Sequence, residues 1–202
     1  MPNGIKRIFF DVGGVCLTNG WDEAAREKAA RHFSIDPDET EERHEQIFEK
    51  FEKGLISRND YLDQAYFFKE RSFSKEDFIR FMEGRSVPIN STFSVLEKLK
   101  KENLYVLSTI NNESLELNLY RIRNFKLNTY FSTFFSSCFL HLRKPEAEIF
   151  KKVLQMTQAI PEECLFIDDR EENIEQATKQ GFQVIHANEI NKLDSLLNKI
   201  LK

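Results

Sequence analysis

The chain has 202 residues, with 29 Lys and Arg against 33 Asp and Glu and a formal net charge of -4, which is the size of one domain with a modest insertion. Hydrophobic residues at 41% and charged residues at 31% exclude a disordered chain, and the near balance of charge excludes a nucleic-acid module built on basic excess. No apolar run approaches the ~18–20 residues that span a bilayer, so no membrane association is expected. The apolar stretch behind Lys6 and Arg7 stops at Asp11, too short for a secretory signal. Cys16, Cys138 and Cys164 are odd in number, widely spaced and without CxxC spacing. Reduced thiols in a cytoplasmic protein are therefore expected.

In chain order, residues 5–12 form a short apolar run with little alternation, the pattern of a strand covered on both faces. No strand pattern follows until after Gly84. Asp36-Pro37 starts a helix that ends near Gly54, Ser57 caps one running through Lys69, and Ser74 with Asp77 resembles a capping box. Phenylalanines such as Phe33, Phe51 and Phe78 recur there at helical spacing, which reads as packing. Beyond this interval the pattern predicts a helix over 91–101, a strand over 104–109 and a helix over 113–123. A weak strand at 133–137, a helix opened by Pro145 and a strand at 164–169 come next. A helix from Arg170 to Gly181, a strand at 182–187 and a helix over 189–201 complete the chain. Strands alternating with helices predict an α/β fold, a doubly wound, Rossmann-like parallel sheet. Residues 1–16 and 88–202 form this core, and 17–87 form a small helical-bundle cap inserted after the first strand.

Ligands in such sheets bind beyond the carboxyl ends of the strands. The first strand delivers Asp11, followed by Gly13 and Gly14, and the second delivers Ser108 and Thr109, followed by Asn111. Lys144 follows the third strand, and the fourth ends in Asp168-Asp169. Each alone is a common turn or cap residue; together they place a carboxylate, a hydroxyl, a cation and an acid pair on one edge. Converging carboxylates repel unless a cation neutralises them, and oxygen-only donors favour magnesium over zinc. Ser108, backbone amides and Lys144 then hold phosphoryl oxygens while Asp11 attacks phosphorus.

The segments FFDVGGV, VLST, RKPEAEIF and LFIDDREEN resemble, in order, the four motifs of the haloacid dehalogenase (HAD) superfamily. The helical insertion falls where one large branch carries its cap. RKPEAEIF and the spacing of Asp168, Asp169 and Asn173 are most similar to small phosphatases that include a glucose-1-phosphate phosphatase. The resemblance implies a magnesium-dependent phosphomonoesterase working through an aspartyl-phosphate, with Asp11, Ser108 and Lys144 catalytic. It implies substrate contacts from Gly13, Gly14, Ser108, Thr109, Asn111 and Lys144. Magnesium is then held by Asp11, the Gly13 carbonyl and Asp169, with Asp168 nearby or bridging through water. The expected partner is a small phosphorylated metabolite, and the expected state a monomer or weak homodimer.

Most phosphatases of the family carry a second Asp two residues after the first, as general acid and base. Here that position is Gly13, a loss that costs ~10²–10⁴ in rate where nothing replaces it. Three outcomes are expected: selectivity for good leaving groups, a proton supplied by a cap residue or water, or weak turnover. The rival enzymatic reading is metal-independent 2-haloacid dehalogenation, in which the same Asp attacks carbon. The non-enzymatic rival is a phosphometabolite-binding protein.

Overall fold

The computed structural model describes residues 4–201. Five strands, β1 (Arg7–Phe10), β2 (Val106–Asn111), β3 (Thr133–Ser136), β4 (Cys164–Asp168) and β5 (Gln183–His186), form one sheet in the order β3-β2-β1-β4-β5. All four pairings are parallel. The first strand therefore lies at the centre and the chain winds outward from it both ways, opening a crevice at its carboxyl end. Alternate residues feed two cores. Ile8, Phe10, Leu107 and Ile167 pack with Val95, Leu96 and Leu197 of α5 (Asn90–Glu102) and α10 (Leu193–Ile200). Phe9, Ile110 and Phe166 pack with Ile149, Val153 and Ala177 of α8 (Ala147–Thr157) and α9 (Glu171–Lys179).

Four helices stand between β1 and α5: α1 (Glu23–Phe33), α2 (Pro37–Glu52), α3 (Arg58–Ala65) and α4 (Lys75–Glu83). The first was not singled out by sequence, although Asp22 caps it by accepting from the Ala25 N–H, as an N-cap Asp should. The capping box predicted at Ser74 is half formed: Ser74 accepts from the Asp77 N–H. The reciprocal box is completed instead at Ser57 and Asp60. The third helix stops at Ala65 rather than Lys69, because the Tyr66 and Phe67 N–H groups both turn back to the Leu62 carbonyl. These helices bury a core of their own, in which the Phe51 and Tyr61 rings stack with centroids 4.0 Å apart. Two chain segments join this layer to the sheet, and they are tied by Thr18 N–H to Val87 O at 2.9 Å. Among the described residues, no helix is long and apolar enough to cross a membrane.

One shift matters for the site. The second strand runs to Asn111 rather than stopping at Thr109. Polar Asn111 survives in a buried strand because its side chain donates to Asn118 and accepts from Ser136 and Thr109.

Candidate active site

Asp11 stands one residue past β1, with its N–H continuing the ladder to Ile167 O at 2.8 Å. Asp168 ends β4 and Asp169 follows it. Each of the three carboxylates offers an oxygen within 4.8 Å of the others. Lys144, from the loop before α8, places Nζ 3.0 Å from Asp11 Oδ1 and 2.5 Å from Asp168 Oδ2. Its backbone is clamped by Asn112, which donates to Lys144 O and accepts from Lys144 N–H, both at 2.9 Å. Asn112, next to the expected contact Asn111, lines the cleft.

One buried ammonium faces three carboxylates, so the cluster is short of positive charge. Burial pushes the Asp11 carboxyl up to about 7, with Lys144 pulling it down and the other two acids pushing it up. Asp169 is raised by burial and then by Asp168. Burial acts to lower the Lys144 ammonium, but Asp11 and Asp168 outweigh it and hold it above its ordinary value. Asp168 also accepts from the Arg170 N–H at 2.9 Å and from Asn173 Nδ2 at 3.0 Å, so its oxygens are largely committed to positioning. Asp169 is half-buried and lies against Gly14, where an added Cβ would land 2.1 Å from Asp169 Oδ2 at a backbone φ of +74°. Only glycine fits there. An all-oxygen donor set beside a cradle that a Cβ would fill suits a hard divalent cation.

Ser108 pairs with Phe9 in the sheet register, two residues deeper than Asp11, and does not line the cleft. The register pairs Phe10 with Thr109, and β2 runs on to Asn111. Thr109 and Asn111 are buried in the network with Asn118 and Ser136, which ties β2 to its neighbours. The Gly14 N–H is spent on Leu17 O at 2.7 Å, leaving Gly14 to accommodate Asp169. Gly13 does line the cleft. A Cβ there would stand 2.8 Å from Asn19 Oδ1 and 3.8 Å from Arg121 Nη1.

Arg121, on α6 (Leu115–Asn124), carried no signal in the sequence, where a helical arginine reads as solvated. It is fully buried and pairs with Glu113 Oε2 at 2.9 Å. It also donates to Ser86 Oγ at 3.0 Å and Thr18 O at 3.2 Å. Gly20 leaves room for it, since a Cβ there would sit 2.0 Å from Arg121 Nη2. Burial raises the Glu113 carboxyl, with Arg121 opposing.

Asp11, Gly13, Lys144 and Asp169 line a cavity of about 100 Å³, closed on the cap side by Trp21 and Glu52. Asn19, Asp22, Asp169 and Arg170 also border a larger cavity of about 620 Å³ under the cap, where His44 and Phe48 stand. His44 contacts the Tyr61 hydroxyl at 2.8 Å, and burial drives it down to about 4, so it is neutral at physiological pH. A small charged chamber thus shares part of its wall with a larger cavity.

Comparison with known proteins follows the same lines. Residues 5–181 match the family model described as haloacid dehalogenase-like hydrolase. Flavin mononucleotide hydrolase 1 of Arabidopsis thaliana, a chloroplast protein, is 28% identical over 139 residues, which is 69% of this chain and 56% of that protein. The chain thus spans little more than half the length of that relative. A HAD family enzyme from Bacteroides thetaiotaomicron, solved with magnesium and inorganic phosphate, superposes with a TM-score of 0.74 at 26% identity. That match covers 90% of this chain and 93% of the other. L-2-haloacid dehalogenase from Xanthobacter autotrophicus shares the fold, with a TM-score of 0.61 at 15% identity, covering 89% of this chain and 76% of that one. With the family model covering most of its length and its strand-end acids gathered around one lysine, this chain belongs to the haloacid dehalogenase-like hydrolases.

Proposed function

We propose that the chain is a magnesium-dependent phosphatase of small phosphorylated metabolites, acting through an aspartyl-phosphate on Asp11. The observation that carries this reading is the cluster of Asp11, Asp168 and Asp169 around Lys144. Three converging acids are costly in a metal-free reaction at carbon, and they are what a cation-assisted reaction at phosphorus requires. Asp11, the Gly13 carbonyl and Asp169 would hold magnesium, which when bound supplies positive charge to the phosphoryl oxygens. Asp11 attacks phosphorus, Lys144 offsets the charge gathering on the equatorial oxygens, and Asp168 keeps Lys144 aimed. Ser108 is left with no assigned contact. With no side chain at Gly13 to protonate the leaving oxygen, the rate favours good leaving groups unless another acid stands close by.

The test is phosphate release from a panel of phosphomonoesters, flavin mononucleotide among them, with magnesium and then with excess chelator. Activity is expected with the metal and lost with the chelator. Because a cation must displace the proton that Asp11 holds up to about 7, less magnesium is needed for half-saturation as pH rises through that value. Chloride release from 2-chloropropionate that survives the chelator would establish dehalogenation instead.

A further inference from the structure

Hydrolysis of an alkyl phosphate needs a proton for the departing oxygen, and the groups around the small cavity can be sorted by what already holds them. Lys144 is fixed between two carboxylates, and arginines do not give up protons at neutral pH. Glu113 is paired with Arg121 and accepts from the Ser114 N–H and hydroxyl. Asp22 accepts from the Ala25 N–H as the cap of α1, and Asp11, Asp168 and Asp169 form the acid cluster. Glu52 remains. It is the last residue of α2 and lines the same cavity as Asp11.

Its backbone is fixed against the core: Ser137 Oγ donates to Glu52 O at 2.6 Å, and His141 Nδ1 lies 2.7 Å from Lys53 O. Gly54 closes the seam, since a Cβ there would meet Cys138 O at 2.6 Å. The carboxylate is held by an arginine alone: Glu52 Oε2 forms an ion pair with Arg143 Nη2 at 2.9 Å, without an aligned hydrogen bond and without the added N–H and hydroxyl donors that Glu113 has.

From this placement we propose that Glu52 is the general acid and base of the reaction, delivered to the cleft by the docked cap. The inference rests on the phosphatase reading above. In the first half, an Asp11 oxygen bonds to phosphorus and the bond from phosphorus to the leaving oxygen breaks. The electron pair stays on the leaving oxygen, which takes the Glu52 proton and departs as the alcohol. In the second half, water attacks phosphorus, its proton passes to the Glu52 carboxylate, and the bond to Asp11 breaks with its pair returning to Asp11. Inorganic phosphate leaves and both carboxyls are restored.

The charged surroundings suit this role. Glu52 is faced by Arg143 from the loop before α8, by Glu113 from the loop after β2 and by Arg170 from the turn after β4. Lys53, paired with Glu49 and Glu146, stands alongside. Burial is the largest influence and lifts the Glu52 carboxyl to about 7 against the pull of Arg143, where a group can both give and take a proton.

The experiment compares wild type and Glu52→Gln on p-nitrophenyl phosphate, whose phenolate leaves without a proton, and on glycerol phosphate, whose alkoxide needs one. The substitution is expected to slow the first half, read as alcohol release in a single turnover, by ~10²–10⁴-fold on glycerol phosphate while leaving the nitrophenolate burst intact; steady-state kcat, which includes the shared water-attack half, falls on both esters. The wild-type alkyl rate falls as pH rises past about 7, and this limb is absent from the variant. Glu52→Asp, which keeps the carboxyl at shorter reach, restores part of the alkyl rate. Equal slowing of alcohol release in the first turnover on both esters, or an unchanged alkyl rate, overturns the inference while leaving the phosphatase reading intact. A wild-type chain that releases no phosphate from either ester overturns both.

Discussion

Asp11→Asn lowers magnesium-dependent phosphate release by at least ~10⁴-fold, the scale seen when a covalent nucleophile is removed. The amide keeps the shape of the side chain but is a poor nucleophile toward phosphorus. The fold is expected to survive, because the change relieves the cluster rather than opening a hole. Asp11 already holds its proton up to about 7, chiefly through burial and with two acids beside it. In the wild type, the folded carboxyl binds a proton more tightly than the unfolded one. Metal-free stability therefore falls as pH rises from the ordinary carboxylate range through about 7, and this loss is absent from the variant. Loss of phosphate release with a melting temperature equal to or above wild type at neutral pH is the expected pair of results. Unchanged release in the variant would place the chemistry on another residue.

The second large effect is on stability. Arg121→Met removes the partner of Glu113 together with the donors to Ser86 and Thr18. Breaking a buried ion pair from one side costs ~3–5 kcal/mol, because the remaining charge is left unpaired. At ~2–4 °C per kcal/mol for a chain of this size, the melting temperature drops by ~6–20 °C. Burial already raises the Glu113 carboxyl with Arg121 present, and without the guanidinium it rises further. The folded state then holds that proton more tightly than the unfolded state. The variant is nearest wild type at low pH and loses ground as pH climbs from the ordinary carboxylate range through the raised folded value. Adding Glu113→Gln recovers part of the loss and flattens its pH dependence. Thermal melts of both variants across pH decide the matter, and an unchanged melting temperature for Arg121→Met would refute it.

The parts of the site legible in sequence are those where strand ends coincide with chemistry. Asp11, Asp168 and Asp169 follow apolar runs that end abruptly, and Lys144 precedes a proline, so their arrival at one edge follows from the topology. Ser108 lies inside its strand, which continues through Ile110 and Asn111, and the sequence pattern did not show that continuation. The continuation depends on Asn118 and Ser136 satisfying Asn111, and a long-range polar network leaves no local pattern. Arg121 was invisible for a related reason. Its burial is enabled by the missing side chain of Gly20, a hundred residues away in the chain. Glu52 occupies the last turn of a cap helix, where an acid reads as solvated; only the docking of that turn against Ser137 and His141 turns it inward. The cap as a helical, phenylalanine-packed layer was readable, because its capping residues are local.

Trp21 is the single tryptophan of the chain. It forms part of the wall of the small cavity, donates from Nε1 to the Tyr61 hydroxyl at 2.8 Å, and meets Tyr66 and Phe78 edge-on. Its fluorescence therefore comes from one place, between the acid cluster and the aromatic core of the cap. Intrinsic emission, followed by stopped flow, can register ligand entry and cap movement without an introduced dye.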